Sequence, residues 1–160
     1  MTLLRDESLT AGELAVWRML QRAQVRVTRH LESELLVAHA LPLASYEVLA
    51  QLAEAPHRRL RMNDLAERVL LSRSGLTRLI DRLQRDGLAV REACADDARG
   101  LFAVLTDRGA ARLAEATPTY LRGIRRQFLD MLDAGELAQV RRLLAKLEDG
   151  LGSPRPGRLP

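Results

Sequence analysis

Residues 62–86 read MNDLAERVLLSRSGLTRLIDRLQRD, and in this stretch hydroxyls and guanidinium groups recur at helical spacing. Wound at about 100° per residue from Arg73, the chain puts Leu76, Leu79, Ile80 and Leu83 on one arc. Ser74, Thr77, Arg78, Asp81 and Arg85 fall on the other. The apolar arc belongs against a core. The polar arc offers forked donors and hydroxyls, the groups that reach base edges and phosphate oxygens when a helix lies in a major groove. Arg73, Ser74, Thr77 and Arg78 crowd the start of this helix, where the macrodipole favours acids, so positive charge there points to an anionic partner. A solvated Arg face on an ordinary amphipathic helix is the plainer alternative, and what flanks the helix weighs against it.

Those flanks read as follows. Met62, Leu65, Ala66 and Val69 mark a short helix from Arg61, with Ala66 small where two helices must approach. A break follows at Leu70-Leu71, Ser72 caps the second helix, and Gly87 stands where a C-terminal cap belongs. Leu88–Cys94 and Leu101–Leu105 are short strands joined by the polar loop 95–100, which makes a hairpin. Two helices with a tight turn, then a hairpin, form a helix-turn-helix with a wing. Arg99, between Asp97 and Gly100, sits where a guanidinium can enter a narrow minor groove, and Asp97 would anchor the loop or orient that arginine. A solvated polar turn is the alternative reading of the loop.

Long helical patterns lie on either side. Thr10 and Glu13 make a capping box, and apolar residues from Leu14 to Ala38 then keep one face to about Ala40. Such a helix spans about 45 Å, more than one small core can cover, so part of it is expected to pack on another chain. Pro42 ends it, and Ser45–Ala55 forms a second helix with Val48, Leu49 and Leu52 inward. Thr106 caps a helix in which Leu113, Leu121, Ile124, Phe128 and Met131 line one side, with Pro118 expected to kink it. Leu137, Val140, Leu144 and Leu147 give a coiled-coil-like seam over 134–148, and 149–160 reads as a flexible tail.

Composition bounds the function. The 160 residues carry 47% apolar and 29% charged residues, the balance of one globular domain. Net charge is +4, and 24 of the 25 basic residues are Arg, with Lys146 the exception. A basic chain invites a polyanion, although a GC-rich genome writes the same Arg bias. Net charge runs from −2 over residues 1–57 to +3 over each of 58–99 and 100–160, so charge alone does not locate a site. Five aromatic residues are too few for a single-strand stacking platform. Cys94 has no partner for an internal disulfide, no run reaches a membrane span, and the N-terminus lacks a leader pattern, so the expected location is the cytoplasm.

The stretches LPLASYEVLAQLAEAP, RMNDLAERVLLSRSGLTRLIDRLQRDGLAVRE and DDARG followed by LFAVLTDRGA resemble the MarR family of bacterial transcription regulators. The helix-turn-helix portion is shared with many winged-helix families, whereas Asp97-x-Arg99-Gly100 closing on Leu105-Thr106-x-x-Gly109 is far more specific. The resemblance covers about residues 10–148. It implies a mainly α fold, a winged helix-turn-helix with long N- and C-terminal helices forming a dimerisation domain. Residues 10–40 and 107–148 would be the dimerisation helices of a homodimer, and 43–106 the DNA-binding lobe. By motif position the contacts to double-stranded DNA are Ser72, Arg73, Ser74, Thr77 and Arg78, with Arg82 and Arg85 nearer phosphates, Arg99 in the minor groove and Asp97 as its anchor. Arg73 stands where many members have Pro.

The resemblance also implies release of DNA by a small aromatic anion bound between the dimer domain and the winged lobe. Trp17, Arg18 and Tyr46 are the candidate lining, with interface packing as the alternative role for both aromatics. Cys94 lies in the hairpin rather than in the first helix, where peroxide-sensing members carry their cysteine, and reads as a small strand residue. His30, His39 and His57 share no ligand spacing, so no metal is expected. No cofactor loop, nucleophile elbow or acid–base pair is present in the sequence, which is not that of an enzyme. The competing function is a winged-helix module that binds protein, against which the Arg, Ser and Thr face argues, since such a surface wants Leu or aromatics.

Overall fold

Thr10 opens the first helix as its spacing predicts. In the computed structural model, which describes residues 9–94 and 97–151 with side chains for all but 94 and 97–99, α1 spans Ala11–His39. The Thr10 amide donates to Glu13 Oε2 at 2.8 Å and the Glu13 amide to Thr10 Oγ1 at 3.2 Å, the reciprocal bonds of a capping box. Ala40 takes a left-handed conformation (φ 48°) and turns the chain into α2, Leu43–Glu54. This helix begins two residues before the expected Ser45. Its N-cap, Pro42, has no side chain to offer, and Glu32 of α1 accepts the Leu43 amide at 2.5 Å instead.

Helices α3 (Met62–Arg68) and α4 (Arg73–Arg85) follow the sequence pattern closely. Leu70 pays a positive φ of 53° so that the Leu71 amide can donate to Ala66 O at 3.0 Å, which folds the turn onto α3. Ser72 Oγ accepts from the Gly75 amide at 3.1 Å and starts α4, and Gly87, at φ 71°, ends the turn after it.

The wing has one strand more than expected. A 3-10 turn at Pro56–Arg58 leads into β1 (Arg59–Arg61), which pairs antiparallel with β3 (Asp97–Leu105), and β3 pairs with β2 (Ala89–Cys94), giving the order β1-β3-β2. Strand β3 starts at Asp97 rather than Leu101. Leu60 opposite Ala103 and Ala89 opposite Leu105 are buried and close the sheet over the core. In that core Leu35 of α1 meets Leu49, Leu52, Leu65, Leu76, Ile80 and Leu83, all fully buried.

Thr106 caps α5 (Asp107–Gln127), which continues through Pro118. The helix stops four residues short of the expected Met131, because the backbone leaves helical space at Phe128 and a 3-10 turn, Leu129–Met131, follows. Gly123 lets α5 cross α1 closely, since a Cβ there would lie 2.5 Å from Leu31 Cδ2. Helix α6, Ala134–Leu151, runs three residues past Glu148 and buries none of its residues. On α1 only Leu31 and Leu35 are buried, so the apolar face of its first half is uncovered. Among the described residues no single helix is long and apolar enough to cross a membrane.

Candidate nucleic-acid interface

Helix α4 divides as its periodicity requires. Leu76, Leu79, Ile80 and Leu83 are buried, while Ser72, Arg73, Ser74, Thr77, Arg78, Asp81, Arg82 and Arg85 are exposed. The burial of the four apolar residues fixes the rotation of the helix, and the rotation presents the polar arc as one surface. Local bonds order several of these side chains. Thr77 Oγ1 donates to Arg73 O at 2.8 Å, Arg78 Nε to Ser74 O and Arg85 Nε to Asp81 O, both at 3.4 Å, and Ser72 and Ser74 hydroxyls lie 3.3 Å apart. Among the described residues no carboxylate pairs with Arg73, Arg78, Arg82 or Arg85. Their guanidinium charges therefore stand uncompensated on one face.

Arg91, on β2, is a site residue that sequence reasoning did not single out. Its Nη1 meets Asp81 Oδ1 at 2.5 Å and its Nη2 donates to Thr77 O at 2.9 Å, so one guanidinium ties the wing to the middle of α4. The same contact neutralises the acid on the outer arc. The available signal is an acid on the polar arc of a helix and a base just past a Gly turn, ten residues on. Arg91→Ala should leave the helical circular dichroism intact yet weaken duplex binding about tenfold, since a charged hydrogen bond is worth roughly 1.5–3 kcal/mol and part of that is screened at this half-exposed pair. Fluorescence anisotropy with a labelled duplex measures it.

Strand β1 adds charge to the same side. The Arg59 guanidinium stacks 4.1 Å from the Phe102 ring centroid and lies 3.9 Å from Glu92, and that of Arg61 lies 5.4 Å from the same ring. Arg61, Asn63, Thr77, Arg91 and Gly100 line a crevice of about 500 Å³ between α4 and the wing. The side chains of Cys94, Asp97 and Arg99 lie outside the described residues. Their backbone places Cys94 opposite Asp97 across the hairpin, with Arg99 two residues along β3.

The three residues expected around an effector are not brought together. Tyr46 is buried, its ring 4.3 Å from that of Tyr120, with its hydroxyl 3.3 Å from Thr117 Oγ1. Both tyrosines line a cavity of about 630 Å³ whose charged lining is Glu47, Glu54 and Arg68. Burial, and behind it Glu32, pushes the Glu47 carboxyl above the usual range, and burial with Glu47 and Tyr46 nearby raises Tyr120. Trp17 and Arg18 are exposed on α1 and do not line this cavity. His39 Nε2 lies 2.8 Å from Thr119 Oγ1, and among the described residues no three His, Cys, Asp or Glu side chains are grouped to hold a metal.

A MarR family model matches residues 40–100, the winged lobe. A MarR-family regulator from Streptomyces coelicolor, Sco3205, solved in complex with DNA, superposes with a TM-score of 0.87 at 33% identity over 95% of both chains. AbsC from the same organism gives a TM-score of 0.83 at 34% identity over 91% of this chain and 97% of its own. The homoprotocatechuate degradative operon repressor of Escherichia coli is 31% identical over 76% of this chain and 80% of its own. The mainly helical winged architecture, the exposed Arg, Ser and Thr face of α4 and these likenesses agree: the chain belongs to the MarR family of transcriptional regulators.

Proposed function

We propose that the chain is a homodimeric repressor that reads a pseudo-palindromic duplex through α4 and the wing and is released by a small aromatic effector. The observation that carries the DNA reading is the uncompensated guanidinium and hydroxyl face of α4 beside a wing strand that itself carries Arg59 and Arg61. Ser72, Arg73, Ser74, Thr77 and Arg78 are assigned to the major groove, Arg82 and Arg85 to phosphates, Arg99 to the minor groove and Asp97 to its anchoring. The DNA-bound likeness and the operon repressor support a repressor role.

Residues 43–106 serve as the lobe, and 10–40 with 107–148 as the dimer domain. Val16, Trp17, Met19 and Leu20 on α1, with Leu137, Leu144 and Leu147 on α6, are large apolar side chains left exposed, as expected of helices that pack on a second copy. Light scattering should give twice the 17.9 kDa chain mass, and Leu144→Asp should shift it toward one. The two-fold axis would place half-sites about 10 bp apart. The effector is assigned to the Tyr46–Tyr120 cavity, which Trp17 and Arg18 of the same chain do not line.

Arg78→Ala decides between this reading and a protein-binding winged helix. Operator affinity should fall about 5- to 150-fold, the equivalent of roughly 1–3 kcal/mol for a bidentate base contact, with discrimination relaxed at one position of each half-site. Selection from random duplex DNA supplies the operator. A wild-type protein that retains no duplex in that selection would turn the assignment over to a protein partner.

A further inference from the structure

Ser45 and Tyr46 are neighbours on α2 but face different cavities. Tyr46 lines the aromatic one, whereas Ser45 lines a separate cavity of about 640 Å³ where the first turn of α2 meets the end of α4 and the start of α5. Ser45 is 1% exposed, and its hydroxyl has no hydrogen-bond partner. A buried hydroxyl without a partner costs free energy that nothing in the folded chain returns, which is unusual enough to need a reason. Around it stand four guanidinium groups, Arg82 and Arg85 from α4 and Arg108 and Arg112 from α5, against two carboxylates, Asp86 and Glu115.

Arg112 is engaged by Glu115 at 3.4 Å and by the His39 carbonyl. Arg82 and Arg108 have no carboxylate partner among the described residues. The first turn of α2 adds little further positive potential, because the Glu32 carboxylate already accepts the Leu43 amide there. The cavity thus has donors in excess, a net positive lining and a hydroxyl awaiting a partner. The aromatic cavity has two carboxylates to one guanidinium, so the two faces of α2 suit different chemistry.

We propose that this second cavity is a binding site for a metabolite-sized oxyanion of charge about minus two, a phosphate ester or a dicarboxylate, with Ser45 and Arg108 as ligands. Because Arg82 and Arg85 line it and are also the residues assigned to operator phosphates, its occupant competes with DNA for them. The regulatory half of the inference rests on the DNA-binding reading above, and the binding half does not.

The test titrates inorganic phosphate and, separately, succinate into the full-length protein by calorimetry at constant ionic strength set with chloride. Saturable binding of one anion per chain is expected, from the arm whose chemistry the site takes. Ser45→Ala removes a hydroxyl with no partner and should fold as the wild type, and Arg108→Gln removes a guanidinium outside the DNA face. Each should weaken anion binding about tenfold or more while leaving operator affinity without anion unchanged, and Arg78→Ala should do the reverse. Anisotropy with the operator should show affinity falling as the anion saturates the wild type, but not at the same concentration in Ser45→Ala. The proposal is overturned by the absence of saturable binding, by binding that both variants retain, by binding lost in Arg78→Ala, or by operator affinity indifferent to a bound anion. Failure of operator binding in the wild type without anion would instead sink the DNA reading and leave the calorimetry standing.

Discussion

Gly109→Ala is expected to lower the thermal midpoint by roughly 6–12 °C, the equivalent of about 3 kcal/mol in a chain of this size. Gly109 lies in the first turn of α5, where the helix is bound to the α4–β2 turn by two bonds and capped by a third. The Thr106 amide donates to Leu88 O at 3.2 Å, the Thr106 hydroxyl to Gly87 O at 2.7 Å, and the Gly109 amide to Thr106 Oγ1 at 2.9 Å. A Cβ at Gly109 would lie 2.0 Å from Leu88 O, 2.9 Å from Leu88 C and 2.8 Å from Leu105 Cδ1. Two of those three atoms are backbone, so relief requires α5 to withdraw from the turn, and withdrawal breaks the bonds that hold it there. The better helix propensity of Ala returns about 1 kcal/mol and does not change the sign.

Gly12→Ala is the control. A Cβ there meets only Thr10 Oγ1 at 4.0 Å, so the propensity gain stands alone and stability should rise by about 1 kcal/mol. Differential scanning calorimetry on both variants at one protein concentration separates a glycine needed for close approach from one that is merely tolerated. A Gly109→Ala midpoint within a degree or two of wild type would mean that α5 docks differently from the arrangement described. The same docking holds α5 on the winged lobe, so the variant should lose operator affinity beyond its loss of stability.

What the sequence makes legible depends on the range of the interaction. Periodicity is a local property, and the buried and exposed arcs of α4 could be drawn from Leu76, Leu79, Ile80 and Leu83 because neighbouring turns of one helix decide them. The caps at Thr10, Ser72 and Thr106 were legible for the same reason, since each bonds within three residues. The start of α2 was not, because its cap is Glu32, eleven residues upstream on another helix. Strand β1 has one apolar residue, Leu60, and exists by pairing with Phe102, Ala103 and Val104. Arg91 carries no local signal, because it is the Gly87 turn that brings it back to Asp81 and Thr77. The sequence suggests Trp17 as the aromatic companion of Tyr46, but its ring partner is Tyr120, a tertiary pairing that no spacing encodes.

Raising salt from roughly 50 to 200 mM should reduce operator affinity by about 10³–10⁵ if the dimer neutralises about 6–10 phosphates. Arg82 and Arg85 of each chain supply four of these contacts, and Arg59 and Arg61 of the wing strand bring four more guanidinium groups beside them. A plot of the logarithm of affinity against that of salt should be linear, with a slope near −0.9 for each phosphate contacted. Arg82→Ala removes one such contact per chain, so the slope should become shallower by about 2 for the dimer, uniformly across operator sequences. Arg78→Ala should lower affinity with little change in slope and relaxed preference for one base. These two outcomes cannot be exchanged by a loss of stability, which would move neither slope nor preference. A slope that stays fixed in Arg82→Ala would remove that residue from the phosphate contacts and leave its guanidinium to the cavity beside Ser45.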